Sequence, residues 1–281
     1  MAAIYWTIGI LAGVFGLFLW LIHPAMGRKN ECKKFTTWDY AHRGLWDMNL
    51  GIPENSMPAF RRAVENGYAI ELDVHLTADR QLVVFHDDTL KRVCGVQGTS
   101  ESMELADLQK LSLSGTQDHM PTLQDVLALV DGRVPILLEI KQPTLHSEIC
   151  RYLVPVMQTY QGPFLIESFN PLALRAYKKM DPTPLFGLLS ERYPASLHVN
   201  PLVKILSTSL MLDAICRPDF IAYNHRTVNG TGFILVKNLF RAPVFVWTVR
   251  KPEDYQKCRK LYDAVIFERF LPKSIDNTDA A

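Results

Sequence analysis

The chain lacks a charge excess: 30 Lys and Arg stand against 29 Asp and Glu, a formal net charge of +1 over 281 residues. That balance offers no electrostatic footprint for nucleic acid, so any cationic group must act locally. Paired cysteine is lacking too. Five cysteines, at 32, 94, 150, 216 and 258, are odd in number, scattered and never in C-x-x-C spacing. Their distribution argues against a disulfide framework and a zinc site, and it suits a reducing compartment. No internal repeat and no low-complexity tract interrupts the chain.

Charge is missing altogether from Ile4 to Ile22, a run that as a helix would span roughly 28 Å of a hydrocarbon core about 30 Å thick. This predicts a membrane anchor, with Tyr5, Trp6 and Trp20 near its ends, where aromatic belts form. A cleaved signal peptide is the competing reading, opposed by an n-region without Lys or Arg and a run longer than about 15 residues. Arg28, Lys29, Lys33 and Lys34 follow the run. The positive-inside rule then predicts a single-pass chain with its amino terminus outside and the remainder in the cytoplasm, its basic cluster near anionic lipid heads. The expected division is an anchor over residues 1–27, a polar linker over 28–37 and one domain over 38–281.

Within that domain eight short apolar runs, at 38–42, 69–74, 136–140, 164–169, 185–189, 220–224, 244–249 and 264–267, alternate with helical segments such as 57–66, 123–130, 171–180 and 252–261. Such alternation predicts an α/β protein, a TIM (β/α)8 barrel, with a doubly wound sheet as the fallback. Gln81 to His86 follows the second strand too closely for a crossover helix and predicts a hairpin excursion. Asn55 or Ser56 suits the cap of the following helix, and Gly67 its C′ position.

Titratable groups concentrate at the ends of these strands. Glu71 and Asp73 lie two apart in one run and Glu139 and Lys141 two apart in another, so each pair shares a strand face, at the barrel end where active sites of this fold lie. Three converging carboxylates repel one another unless a cation joins them, and an all-oxygen set favours one Mg²⁺ or Ca²⁺ over zinc. His42 and His86 end two further strands and suit an acid/base pair, with Arg43 and Lys141 as fixed positive charge. Together they describe a site for an anionic phosphodiester.

The ordered motifs A-H-R-G (41–44), P-E-N-S (53–56), E-L-D-V-x-L-T-x-D (71–79), V-V-F-H-D-x-T-L-x-R (83–92), P-T-L (121–123) and L-E-I-K (138–141), then S-F-N (168–170) and V-W-T-V (246–249), closely resemble the glycerophosphodiester phosphodiesterase family. The resemblance implies a TIM barrel that hydrolyses glycerophosphodiesters to sn-glycerol 3-phosphate and an alcohol with a divalent cation. It implies metal ligation by Glu71, Asp73 and Glu139, acid/base catalysis by His42 and His86, phosphate contacts from Arg43 and Lys141, and a glycerol pocket walled by Trp247. Glu54 and Asn55 match the family's P-E-N element, Asn55 with the helix cap as its alternative. Which histidine is the acid stays open, as does attack by a glycerol hydroxyl or by water. A lysophospholipase D acting on lysophospholipids at the membrane and a catalytically silent membrane-bound scaffold are the alternative functions.

Two departures stand out. I-F-E-R-F at 266–270 replaces a family pattern like I-T-D-x-P, and Arg250 stands where Asn is common, as a solvated charge or a contact for a second anion. His75 shares a face with Glu71 and Asp73 and reads as a hydrogen-bonded structural group, as do His119, His146, His198 and His225.

Overall fold

The structure, a computed structural model, describes residues 1–141, 147–193 and 200–272. His146, His198 and the last nine positions of the expected domain lie outside the described residues. Nine strands form one sheet: β1 (Asp39–His42), β2 (Ala69–Leu76), β3 (Leu82–Val84), β4 (Ile136–Ile140), β5 (Phe164–Ser168), β6 (Leu185–Ser190), β7 (Phe220–Asn224), β8 (Val244–Val249) and β9 (Ala264–Phe267). Eight run parallel and close into a barrel, because β1 pairs with both β2 and β9. The ninth, β3, lies antiparallel to β2 in the expected hairpin, with Val74 opposite Val84.

These strands are buried on both faces, as parallel strands covered by helices must be, so their sequences are nearly continuous apolar runs. The helices are α1 (Ala2–Leu21), α2 (Lys29–Thr36), α3 (Met57–Glu65), α4 (Lys91–Cys94), α5 (Leu105–Leu108), α6 (Leu123–Val130), α7 (Ile149–Thr159), α8 (Pro171–Met180), α9 (Pro201–Thr208), α10 (Asp213–Cys216), α11 (Thr231–Asn238) and α12 (Pro252–Leu261). Local chemistry starts them. Ser56 Oγ accepts from Ala59 N at 3.3 Å, and Thr122 and Asp125 form a reciprocal capping box on α6.

Side chains alternate along each strand, and the interior face carries a layered pattern. Tyr40, Ala69, Leu137, Leu165, Phe220 and Phe245 fill the barrel's lower interior in one apolar cluster. Two residues further along the same face stand His42, Glu71, Glu139 and Glu167. Gly187 in β6 leaves no room for a side chain, since a Cβ there would meet the Phe220 ring at 2.2 Å.

The segment expected to be a linker is instead α2, seated under the barrel. Cys32 is fully buried in the lower interior cluster, and the Arg28 guanidinium donates to the carbonyls of Pro182, Thr183 and Pro184 at 3.1, 2.6 and 2.7 Å. An open barrel end would expose its apolar layer to water, and covering it outweighs the polar composition of 28–37. The C-terminal end of helix α1 meets the same end, the rest of the helix being exposed. Arg217 Nη1 donates to Trp20 O at 2.7 Å and His23 O at 2.6 Å, its guanidinium lies 4.7 Å from the Trp20 ring centre, and Ile22 is fully buried. Helix α1 is long and apolar enough to cross a membrane, a property it shares with signal sequences.

Candidate active site

The chain leaves β1 through a turn that few residue types tolerate. Arg43 has φ +59° and Gly44 φ +77°, and a Cβ on Gly44 would stand 2.9 Å from Ala59. The turn aims the Arg43 N–H at Glu71 Oε2, 2.8 Å away, and sends the guanidinium to Glu54 Oε1 at 2.7 Å, with Nε 3.6 Å from Asp73. Asn55, also at positive φ, is no helix cap: its Nδ2 donates to Asp73 Oδ2 at 2.8 Å, and Ser56 does the capping.

Glu71, Asp73 and Glu139 each present a carboxylate oxygen within 4.8 Å of the other two, all buried. Lys141 Nζ sits 2.9 Å from Glu139 and 3.2 Å from Asp73. Burial, then the neighbouring carboxylates Asp73, Glu167 and Glu139, drives the Glu71 carboxyl well above its ordinary range. Burial pushes Asp73 the same way, but Lys141, His86, Arg43 and His42 around it win and hold it well below. Adjacent carboxyls pulled in opposite directions are what mutual repulsion produces, and a divalent cation relieves it. The donors are all oxygens from buried carboxylates, which fits a hard divalent ion.

Both histidines carry a carboxylate partner. His42 Nδ1 donates to Glu268 Oε2 at 2.7 Å, and its Nε2 faces Glu71 at 4.0 Å. Burial, helped by Arg43 and opposed by Glu268, lowers His42 to about 4, so the ring is neutral near pH 7. Glu268 is itself held at about 2: burial would raise it, but His42 and Arg250 outweigh that. Arg250, expected as a solvated charge or an anion contact, is ion-paired with Glu268, and Arg269 Nε lies 3.4 Å from the same carboxylate. His86 Nδ1 lies 2.7 Å from Asp87, which pairs with Arg92 at 2.6 Å, and Arg92 reaches Glu54 at 2.6 Å. One chain of charges therefore links Arg43 to His86. His75 is fully buried and bonds Glu101 at 2.6 Å, a structural tie as expected.

A cavity of about 120 Å³ joins these groups. His42, Arg43, Glu71, His86, Glu139 and Lys141 line it together with Trp247, Phe169, Leu189, Ile266 and Glu167. Trp247 and Phe169 meet edge to face at 5.5 Å. The expected site residues thus lie in this cavity or are bonded to a group that lines it: Glu54 to Arg43, Asp73 to Lys141, and Asn55 through its backbone N–H to Arg43 O at 2.9 Å. Two were missed, Glu167 and Glu268. Glu167 stands on the interior face of β5 two residues beyond Leu165, so the period-2 rule that located Glu71 and Asp73 would have located it, whereas Glu268 lies one residue past the end of β9 and is brought to His42 only by closure of the barrel.

A model of the glycerophosphoryl diester phosphodiesterase family matches residues 42–270. A glycerophosphodiester phosphodiesterase of Caldanaerobacter subterraneus subsp. tengcongensis is 33% identical over 232 residues, which cover 78% of this chain and 88% of that protein. A lysophospholipase D of Homo sapiens is 34% identical over 137 residues, 44% of this chain and 42% of its own. Among solved structures, an Oleispira antarctica phosphodiesterase in complex with the product sn-glycerol-3-phosphate superposes with a TM-score of 0.67 at 24% identity, over 83% of this chain and 94% of that one. A glycerophosphodiester phosphodiesterase of Thermotoga maritima gives 0.63 at 25% identity, over 82% and 94%.

Proposed function

Since the chain belongs to the glycerophosphoryl diester phosphodiesterase family, a family of phosphoric diester hydrolases, we propose that it hydrolyses glycerophosphodiesters to sn-glycerol 3-phosphate and an alcohol. The observation that carries this reading is a cavity lined by two carboxylate-partnered histidines, two cations and two acids, Glu71 and Glu139, of a buried triad completed by Asp73. Few demands other than phosphodiester cleavage explain that combination.

Arg43 and Lys141 hold the phosphate oxygens. Neutral His42, its Nδ1–H fixed by Glu268, presents the Nε2 lone pair and takes the proton of the attacking group: water, which gives glycerol 3-phosphate directly, or the glycerol hydroxyl, which gives a cyclic phosphate that a water then opens to glycerol 3-phosphate. His86, the more exposed of the pair, gives its proton to the departing alcohol at the cavity mouth. Phe169, Leu189, Trp247 and Ile266 keep bulk water from the reacting centre. Glu71, Asp73 and Glu139 would hold Mg²⁺ or Ca²⁺, which when bound neutralises charge on the phosphoryl oxygens. Asn55 positions Asp73, and Glu54 positions Arg43.

Helix α1 serves as a single-pass anchor in this reading, with residues 28–37 closing the base of the barrel and the catalytic unit in the cytoplasm. Its support is the apolar helix whose C-terminal end meets the barrel base, with Arg28, Lys29, Lys33 and Lys34 just beyond it. One observation favours cleavage of lysophospholipids as a second reading. Helix α9, tied to the C-terminal end of β6 by Ser190 Oγ donating to Ser207 O at 2.8 Å, exposes Leu202, Val203 and Ile205 on the catalytic side. The test is release of glycerol 3-phosphate from glycerophosphocholine by the detergent-solubilised full chain with Mg²⁺, Ca²⁺ or EDTA, beside His42→Ala. Metal-dependent turnover lost in the variant supports the reading; a folded wild type inactive with either metal ends it.

A further inference from the structure

Glu167 is a carboxyl group that the hydrolytic machinery described above does not use. It is 1% exposed, stands beside Glu139 in the register of β4 and β5, and its Oε2 has no hydrogen-bond partner among the described residues. It also lies outside the cluster that Glu71, Asp73 and Glu139 form. A buried polar atom without a partner is costly, and natural folds retain such atoms where a ligand completes them.

A second atom in the same cavity shares this condition. Trp247 Nε1 is buried and unpartnered, and Trp247 and Glu167 line the same 120 Å³ space. One group can only donate; the other accepts. Arg43 and Lys141 border that space, and Phe169, Leu189 and Ile266 supply apolar wall beside its catalytic groups. A donor and an acceptor beside two phosphate-binding cations match a ligand whose hydroxyls stand close to its phosphate. A volume this small further favours a compact polyol over an alkyl chain.

We infer that Glu167 reads the free terminal hydroxyl of the substrate's glycerol, with Trp247 donating to the same moiety, and so selects phosphodiesters of unacylated glycerol over lysophospholipids. The inference rests on the hydrolase reading above and decides between its two substrate classes. An acyl ester at the terminal oxygen removes the hydrogen that Glu167 accepts and adds a chain to a space filled by side chains. Discrimination arises because the buried carboxyl is left unpaired when that hydroxyl is missing.

The experiment compares kcat/KM of the solubilised full chain on three substrates: glycerophosphocholine, the phosphocholine ester of propane-1,2-diol, which lacks the terminal hydroxyl, and 1-oleoyl-lysophosphatidylcholine. Wild type is set beside Glu167→Gln and Glu167→Leu, with Glu167→Ala in reserve should the leucine variant not fold, and Mn²⁺ affinity is titrated for each. The expected result is a wild-type preference for glycerophosphocholine over the deoxy ester of roughly 10- to 100-fold, the cost of leaving one buried polar group unsatisfied. That ratio falls toward one in Glu167→Leu and stays largely intact in Glu167→Gln, which keeps an acceptor oxygen. Equal losses on all three substrates, weakened Mn²⁺ binding, or a wild type that cleaves the lysolipid as well as glycerophosphocholine would each overturn the inference. Wild-type inactivity on all three would overturn the hydrolase reading itself.

Discussion

Replacing Glu268 by Gln tests the catalytic geometry most directly. The Glu268 carboxylate, itself buried, accepts the Nδ1–H of His42 at 2.7 Å, so the ring is held in one tautomer and one orientation. Gln keeps the shape but offers an amide that either donates or accepts, and His42 is no longer compelled to present Nε2 as a lone pair. A charge-assisted bond of this kind contributes about 1.5–3 kcal/mol, which corresponds to a loss of roughly 10- to 150-fold in kcat. KM should change less than about twofold, because Glu268 reaches His42 and not the substrate. The assay runs glycerophosphocholine beside glycerophospho-p-nitrophenol, whose leaving group needs no proton. With His42 as the base, the penalty is the same for both substrates. A penalty that vanishes with the nitrophenyl ester makes His42 the acid, and a folded variant with wild-type kcat refutes the positioning role.

Asn55→Ala removes the Nδ2 bond to Asp73 and should weaken Mn²⁺ binding about 10-fold, read by titration; unchanged affinity would show that Asp73 needs no such support. Gly187→Ala drives a Cβ to within 2.2 Å of the Phe220 ring and should lower stability by about 1–3 kcal/mol, with Phe220→Leu in the same chain restoring part of it; a wild-type melting temperature in the single variant contradicts the packing. In the metal-free protein the His42 contribution to stability should be lost as pH falls from about 6.5 to about 4, against an opposite contribution from Glu71, whose carboxyl is held well above its ordinary range. His42 is neutral in the fold with its pKa lowered to about 4, so the unfolded chain takes up the proton first. A shift of that size is worth about 3 kcal/mol. Glu268, held at about 2, adds to the loss below pH 4.5. Urea unfolding of wild type and His42→Gln in EDTA at pH 7 and pH 4.5 checks this: between the two pH values the wild type should lose more stability, or gain less, than the variant, and equal changes in both refute it.

The barrel, the hairpin and most of the site were legible in the residue order, because strand alternation and apolar runs are local properties. Glu71, Asp73, Glu139 and Lys141 share interior faces by period alone, and the eight strands fall almost where the apolar runs lie. What tertiary structure decided is what depends on contacts distant in sequence. The polar stretch 28–37 reads as a linker until the open base of a barrel needs a cover, and α2 then forms with Cys32 inside. Asn55 reads equally well as a cap until Asp73 arrives from the next strand. Glu268 and Arg250 look like departures in the last strands until closure of β9 onto β1 brings them to His42, 226 residues away for Glu268. Local pattern selects the fold because each strand encodes its own two faces; the partners that give a histidine its tautomer and a carboxylate its charge exist only once the barrel has closed.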